Sequence, residues 1–461
     1  MKQKHIQHLY WRVGFGILPS ELKKLSKKSK QDVVDGLFDR SNTMTPLTVD
    51  TSEIRDIFSE MMGNRLDAKT RMKVQKISRK KQMELNVAWI DRLSNSNEIL
   101  REKMTLFWAN HFVCEDNFIN YIQKFNNTLR EHALGNFRDF VNAISKEAAM
   151  TKYLNTKQNR KTKPNENFAR ELMEIFTLGE GHYTEQDIKE NARAFTGYSH
   201  NLKGEFVFRK RAHDYGDKTF FGKTGNFNGE DIVDIILEQK QCAVYICEKL
   251  YRYFVNEITN PSHVQAMAEV FYKDYNIENV MRFVLMSDWF YDEANMGNKI
   301  KSPIEFLVGM KTLVPTNFKK SQQLIYIQRL LGQQLLDPPN VAGWKGGKNW
   351  IDSNTIVLRL KLPSLLLNNA YISKALAGQM DAQMDMKKEM FKKTYGKRFS
   401  TETDWNYFKE RFSDVNIDDI GDHILACPIS NEASAYLNNL EKVSKQEYCV
   451  QLMSLPEYQM C

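Results

Sequence analysis

The sequence predicts a mainly α-helical protein, a multi-helix globular body with a small β-hairpin insert around residues 198–228. Side chains that cap helices recur before amphipathic stretches. Glycine and proline are scarce, at 22 and 11 of 461 residues, and short apolar pieces between turn residues occur in one region alone. The content of 42% hydrophobic and 11% aromatic residues is enough for a buried core and excludes a disordered chain.

The first long helix is predicted at 68–93. Leu85, Trp89 and other apolar residues make a rough stripe along it, and basic residues from 69 to 81 cover the rest. The segment is therefore amphipathic, with a strongly charged outer face.

Capping side chains, two of them followed by proline at the first helical position, predict five further helices. These are 98–113 after Asn97, 166–178 after Asn165, 184–195 opened by Thr184 and Asp187 as a capping box, 261–273 after Asn260, and 303–313 after Ser302.

Two stretches break the helical pattern. Between Tyr198 and Asn228, short aromatic pieces alternate with four glycines, which predicts one or two small hairpins. From Leu336 to Ser353, two prolines and three glycines exclude a regular element. We expect a long loop there, anchored by its aromatic residues.

Composition divides the chain into three predicted regions. Residues 1–96 are a basic helical region, 97–370 a helical core with the insert and the loop, and 371–461 a helical C-terminal region that begins with a Met- and Lys-rich stretch. No apolar run reaches the about 20 residues that span a bilayer. The first 30 residues have the basic residues of a signal peptide, but their one apolar stretch is broken by Arg12 and two glycines and no small-residue cleavage site follows. This predicts a cytoplasmic protein and leaves export open.

The formal net charge of +8 comes from one end of the chain. Residues 1–92 hold 19 basic and 11 acidic side chains, and the remainder is balanced. The clusters within residues 23–81 suit an anionic surface, either nucleic acid or membrane. A solvated helix face is the simpler interpretation, because no aromatic residues interleave with the basic ones. Nucleic acid is therefore not the expected partner.

The densest polar cluster lies between residues 166 and 174. On a helix, Glu171 and Glu174 are three residues apart and can point to a common site, as in helical carboxylate metal sites. The alternative is a charge-laced helix in which Arg170 pairs with neighbouring glutamates. Candidates from this cluster are Glu171 and Glu174 as catalytic residues, the same two with His213 as metal ligands, and Asn167 and Arg170 as binding residues.

A second polar cluster lies in the insert. His213 and Asp214 adjoin a turn with glycine, where a carboxylate can orient an imidazole for general-base chemistry. Both are candidate catalytic residues, and Lys218 is a candidate binding residue. Turn chemistry is the equally weighted alternative, in which Asp214 accepts backbone N–H groups.

The helix at 98–113 and the long loop add further candidate binding residues, namely His111, Asn340 and Trp344. A Trp and a His three residues apart are more often core residues, which is the competing interpretation of His111. The sequence lacks the phosphate-loop, dinucleotide, zinc-protease, EF-hand and nucleophile-elbow motifs. A nucleotide-dependent or zinc-protease activity is thus poorly supported.

Five strings occur in the same order as similar strings in the bacterial family catalogued as domain of unknown function 1800. They are residues 8–16, 103–112, 166–179, the turn at 213–214 and residues 338–344. The resemblance covers nearly the whole chain, but it implies no particular activity. It implies a partnership with the family domain of unknown function 1501, whose members resemble alkaline phosphatases and sulfatases. Export, common in the family, is not matched by this N-terminus, and Ala109 stands where the family often has histidine.

Two functions follow from these observations. The first is an enzyme whose cleft collects Glu171, Glu174, His213 and Asp214 for metal-assisted or acid–base hydrolysis, with a divalent metal as the candidate cofactor. The second is a non-catalytic partner or scaffold for a phosphatase- or sulfatase-like protein, with the Pro-Pro-Asn-Val-Ala-Gly-Trp stretch at 338–344 and exposed aromatic residues as the contact surface.

Overall fold

The computed structural model describes residues 1–60, 67–368, 399–439 and 443–461. This part of the chain is mainly helical, with three small antiparallel sheets of two strands each, as predicted. The helices are α1 Gln3–Val13, α2 Pro19–Leu25, α3 Lys30–Ser41, α4 Ser52–Glu60, α5 Ala68–Asn95, α6 Ile99–His111, α7 Ile119–His132, α8 Phe137–Lys146, α9 Ala148–Tyr153, α10 Asn167–Glu171, α11 Glu185–Ala194, α12 Gly229–Leu237, α13 Lys240–Phe254, α14 Pro261–Tyr272, α15 Ile277–Met286, α16 Pro303–Leu313, α17 Ser321–Leu330, α18 Ser353–Leu367, α19 Trp405–Arg411, α20 Ile420–Ile424, α21 Asn431–Asn438 and α22 Lys445–Met453.

Three of the five predicted helix caps form, those of Thr184, Asn260 and Ser302. The predicted caps Asn97 and Asn165 do not lie at the N-cap position, because α6 and α10 are instead preceded by Glu98 and Glu166, whose side chains make no capping hydrogen bond. Thr184 and Asp187 make a capping box at α11, and Ser302 and Glu305 make one at α16. The predicted helix at 166–178 differs in one respect, because α10 continues as a π-helix over Leu172–Thr177.

The insert contains two hairpins, as predicted. Strands β1 (Tyr198–His200) and β2 (Phe206–Phe208) form the first, and β3 (Lys218–Phe220) and β4 (Lys223–Gly225) form the second. A third sheet was not predicted: β5 (Thr316–Phe318) pairs with the distant β6 (Thr401–Thr403). The loop that begins at 336 has no regular element before a short 3-10 turn at Gly347–Trp350.

Two clusters of buried side chains form the core. One draws on residues between 6 and 335, and the other on Trp11 and residues between 306 and 461. The predicted boundary near 370 and the Met- and Lys-rich stretch lie outside the described residues. The division into three regions therefore stays a prediction.

The described helices include none that combines the length and the apolar character needed to cross a membrane. All six cysteines are free thiols, and five of them are buried.

Candidate functional site

A cavity of about 430 Å³ opens beside α6 and α13. Other parts of its wall come from the segment between Lys299 and Glu305 and from residues 342–350 of the long loop. Two of the family-like strings, 103–112 and 338–344, therefore meet at this cavity.

The lining carries more positive than negative charge. Its cations are Lys249, Arg252, Lys299 and Lys345, and its carboxylates are Glu257 and Glu305. Arg252 and Lys345 are exposed, whereas Lys249 and Lys299 lie deeper. A concave site with several cations and few anions is suited to an anionic ligand.

Lys249 is held by two groups at once. Its Nζ donates to the backbone oxygen of Ile175 at 3.1 Å and to Nδ1 of His111 at 3.2 Å. Nε2 of His111 lies 3.0 Å from the backbone oxygen of Phe176. A carbonyl can only accept, so we assign the ring hydrogen to Nε2, which leaves Nδ1 as the acceptor for Lys249.

The π-helix explains why these two backbone oxygens can accept side-chain donors. The N–H groups of Leu178 and Gly179 both return to the oxygen of Met173, at 2.9 and 3.1 Å. The carbonyls of the last turn thus lack backbone donors, as at any helix end. Lys249, His111 and the hydroxyl of Tyr245 supply donors to these carbonyls. The partial negative charge of the helix end favours a cation there. Single π-helical turns occur frequently at functional sites.

Burial lowers the pKa of Lys249 to about 8. Burial, followed by the charge of Lys249, holds the pKa of His111 well below its usual value, so the imidazole is neutral. Lys249 is only partly buried, and its third N–H has no acceptor among the described residues. Lys249 lines the cavity, and the ring of Tyr245 also faces its Nζ, with the ring centre 4.8 Å away.

Glu305 forms the inner wall of the cavity. Its carboxylate accepts from Nζ of Lys103 at 2.7 Å, Nζ of Lys299 at 3.2 Å and the N–H of Ser302 at 2.7 Å. Burial alone would raise the pKa of this carboxyl, but the two ammonium groups hold the pKa of Glu305 well below its usual range. One carboxylate shared by two cations leaves positive charge at the wall.

Tyr253 also lines the cavity, and its hydroxyl is a further polar group in this part of the fold. Its oxygen is buried and has no hydrogen-bond partner among the described residues. The ring lies over Nζ of Lys299, 4.3 Å from the ring centre. A buried polar atom without a protein partner normally binds water or a ligand.

Asn110 of α6 fastens the long loop to the cavity. Its Oδ1 accepts from the N–H of Trp344 at 2.7 Å, and its Nδ2 donates to the oxygen of Trp344 at 3.1 Å. The neighbouring Gly343 has a φ of +76°, and a Cβ there would lie 2.2 Å from Oδ1 of Asn110. Only glycine fits this position without displacing the loop.

Glu171 and Glu174, the predicted catalytic carboxylates, are not among the residues lining this cavity. Glu171 is half-buried, and burial together with the charge of Glu174 raises the pKa of its carboxyl. Glu174 accepts a hydrogen bond from the hydroxyl of Tyr183 at 2.9 Å.

The two predicted binding residues of the same helix lie on its outer side. Arg170 pairs with Glu185 at 3.0 Å and with Glu166 at 3.5 Å. Asn167 is exposed. This is the pattern of the charge-laced alternative.

The predicted residues of the insert form one hydrogen-bonded turn. Nδ1 of buried His213 lies 2.8 Å from the oxygen of Thr196, and Asp214 accepts from Arg193 at 2.8 Å. Lys218 is buried and donates to the backbone oxygen of Asp214 at 2.7 Å. All three side chains are thus engaged locally, as the turn interpretation expects.

The remaining predicted binding residues divide between cavity and surface. His111 and Trp344 line the cavity. Asn340 is exposed on the loop, where its side chain accepts from the N–H of Ala342 at 2.9 Å.

The donor set of a metal site is not assembled. In residues 1–60, 67–368, 399–439 and 443–461, no three His, Cys, Asp or Glu side chains are placed to hold a metal ion. Glu171, Glu174 and His213, the predicted ligands, therefore do not form a three-ligand set.

Lys249, Tyr253 and Glu305 carry the polar chemistry of the cavity, and motif reasoning did not identify them. A signal was present in α13, where Cys242, Ile246, Lys249 and Tyr253 follow one helical stripe. A lysine on an otherwise buried stripe requires polar partners, which marks it as a candidate functional residue.

The comparison with known proteins identifies a family but assigns no activity. The family described as "Protein of unknown function (DUF1800)" matches residues 8–460. No curated protein and no solved structure matches the chain. Since the match covers nearly the whole sequence, the chain belongs to the DUF1800 family.

Proposed function

We propose that the protein is an enzyme that binds a small anionic substrate in the cavity beside α6 and α13, and that Lys249 exchanges a proton with this substrate. One observation carries the proposal. Three distant parts of the chain, namely α6, the π-helix and α13, position a single accessible ammonium group in a cavity with excess positive charge.

The arrangement of charges favours an anion over a neutral ligand. The ammonium of Lys249 keeps one N–H for the ligand, and the exposed cations Arg252 and Lys345 attract it to the cavity. Tyr253 adds an uncommitted hydroxyl. Together these groups can bind oxygens of a phosphate, sulfate or carboxylate.

Acid–base chemistry follows from the state of Lys249. With a pKa of about 8, the amine exists in both protonation states near neutral pH, as a proton-transferring group requires. His111 supports this role, because its neutral ring orients the amine through Nδ1. Hydrolysis is one reaction class that uses such transfer.

The carboxylates and the insert take supporting roles in this proposal. Glu174 lies on the π-helix, whose backbone oxygens accept from Lys249 and His111, and its carboxylate accepts a hydrogen bond from Tyr183. His213 and Asp214 shape the insert. Metal assistance is not part of the proposed reaction.

The alternative function, a non-catalytic partner of a phosphatase- or sulfatase-like protein, has less support. That hypothesis takes the loop and exposed aromatic residues as its contact surface, whereas Trp344 and Trp350 of the loop are each only 8% exposed. The buried rings make the loop a wall of the cavity.

Calorimetric titration of the full chain with inorganic phosphate and sulfate tests the binding step. We expect Lys249→Met to weaken binding about thirtyfold or more, because it removes a partly desolvated cation. Lys240→Met is the matched control, since Lys240 is exposed at the start of the same helix. Lys249→Arg should retain binding, because it keeps the charge.

Binding of neither anion by the wild-type protein would overturn the proposal. Equal affinities for Lys249→Met and Lys240→Met would do the same. Circular dichroism of each variant distinguishes loss of the ligand site from loss of the fold.

A further inference from the structure

We propose that a basic surface formed by the cations of residues 152–163 and 209–211, together with the pocket beside it, binds single-stranded nucleic acid. This surface is separate from the cavity of Lys249, and the proposal does not depend on the function proposed there.

One backbone and one side-chain hydrogen bond join the two segments. The N–H of Lys161 donates to the oxygen of Ala212 at 2.8 Å, and the guanidinium of Arg209 donates to the backbone oxygen of Lys157. Together the segments hold eight basic side chains and no acidic one. They thus form one continuous cationic surface.

Most of this charge is not neutralised within the protein. Lys152 pairs with Asp116 at 2.8 Å, but the other seven cations form no ion pair with any described residue. Burial and the charges of Lys157, Lys152 and Arg209 lower the pKa of nearby His200 to about 4. Seven unpaired cations on adjoining segments make the local electrostatic potential positive, as expected at a site for a polyanion.

A pocket of about 310 Å³ lies where the basic surface meets α5. Its lining combines three aromatic rings with three cations, namely Phe58, Phe118, Tyr121, Arg71, Lys152 and Lys157. Phe118 contacts both of the other rings edge-on, with ring centres 5.8 and 4.7 Å apart. The aromatic residues that the basic helix lacks in its sequence are thus supplied by other elements.

A single strand matches this combination of features. Its phosphates can follow the cations while one unpaired base enters the aromatic pocket, which is how sequence-tolerant single-strand binders work. A duplex keeps its bases stacked inside, and a bilayer presents head groups on a flat surface without planar rings. Neither uses the pocket.

Fluorescence anisotropy with a labelled mixed-sequence DNA strand of about 12 nucleotides, at several salt concentrations, tests the proposal. The triple variant Lys157→Gln, Arg160→Gln, Lys161→Gln removes three exposed cations. We expect the slope of log K against log salt to fall in magnitude by about 2, because each phosphate contact on a single strand contributes about 0.7. The control Lys23→Gln, Lys24→Gln, Lys27→Gln changes the charge equally in another exposed cluster and should leave the slope unchanged.

Phe118→Leu tests the pocket, since it keeps an apolar side chain but removes the ring. We expect binding to weaken about fivefold or more without a change in the salt slope. Absence of strand binding, equal loss in the two triple variants, or equally tight binding of a duplex of the same length would overturn the proposal. So would binding of phosphatidylglycerol vesicles in place of the strand.

Discussion

Replacing Glu305 with glutamine tests the buried ion pairs at the cavity wall. The carboxylate is 3% exposed and accepts hydrogen bonds from two ammonium groups, those of Lys103 and Lys299. Glutamine keeps the volume and can still accept from the N–H of Ser302, but it leaves both cations without a counter-charge. Removing one partner of a buried ion pair costs about 3–5 kcal/mol, so we expect the free energy of unfolding to fall by that amount.

Urea unfolding followed by far-ultraviolet circular dichroism measures this change, because the protein is mainly helical. Glu293→Gln is the control: its carboxylate lies 2.6 Å from Lys4, but the side chain is 78% exposed, and its loss should cost about 1 kcal/mol or less. Adding Lys103→Met to Glu305→Gln removes one of the stranded cations, so the double variant should lose less stability than the two single losses added together. Equal losses for Glu305→Gln and Glu293→Gln would refute the reasoning.

Three further predictions concern Gly343, His8 and Tyr253. Gly343→Ala should destabilise the protein by roughly 1–3 kcal/mol and weaken phosphate binding, because the added Cβ displaces Asn110 and strains the backbone; unfolding and calorimetry measure both effects. Burial and the charge of Arg12 hold the pKa of His8 well below its usual value. As the pH falls, His8 is therefore protonated in the unfolded chain before it is protonated in the folded protein. Below about pH 6.5 the wild-type protein should therefore lose about 1.4 kcal/mol per pH unit relative to His8→Gln, and parallel pH profiles of unfolding would contradict this. Tyr253→Phe should leave stability unchanged or higher, since the hydroxyl has no partner, while weakening phosphate binding; a loss of stability without an effect on binding would assign the hydroxyl a structural role.

The helical fold could be predicted because its signals are local. Thr184 and Ser302 cap their helices through residues three positions away, so the sequence neighbourhood contains the whole interaction. The pairing of β5 with β6 could not be predicted in this way, since more than 80 residues separate the strands along the chain. The π-helix was missed for a related reason: its carbonyl acceptors are satisfied by Lys249 and His111 from other helices.

The candidate site was harder to predict than the fold. Polar residues that cluster along the sequence, such as Asp214 and Arg170, engage one another or nearby groups. The cavity instead collects residues spread from Leu106 to Trp350. His111 and Trp344 were candidates from their own segments, whereas Lys249, Tyr253 and Glu305 were not. Net charge counted over long segments also hid a local feature. The part of the chain after residue 92 has equal numbers of basic and acidic residues, yet it contains a locally basic surface at 152–163.

The protonation of Lys249 is the most direct test of the central claim. Competitive acylation with acetic anhydride across a pH series, read by peptide mass spectrometry, reports the titration of individual lysines in the intact protein. We predict that Lys249 titrates near its pKa of about 8 and that inorganic phosphate protects it, whereas the exposed Lys240 on the same helix is not protected. Titration of Lys249 near the value of about 10.4 expected for a free lysine, or labelling that phosphate does not slow, would contradict the account.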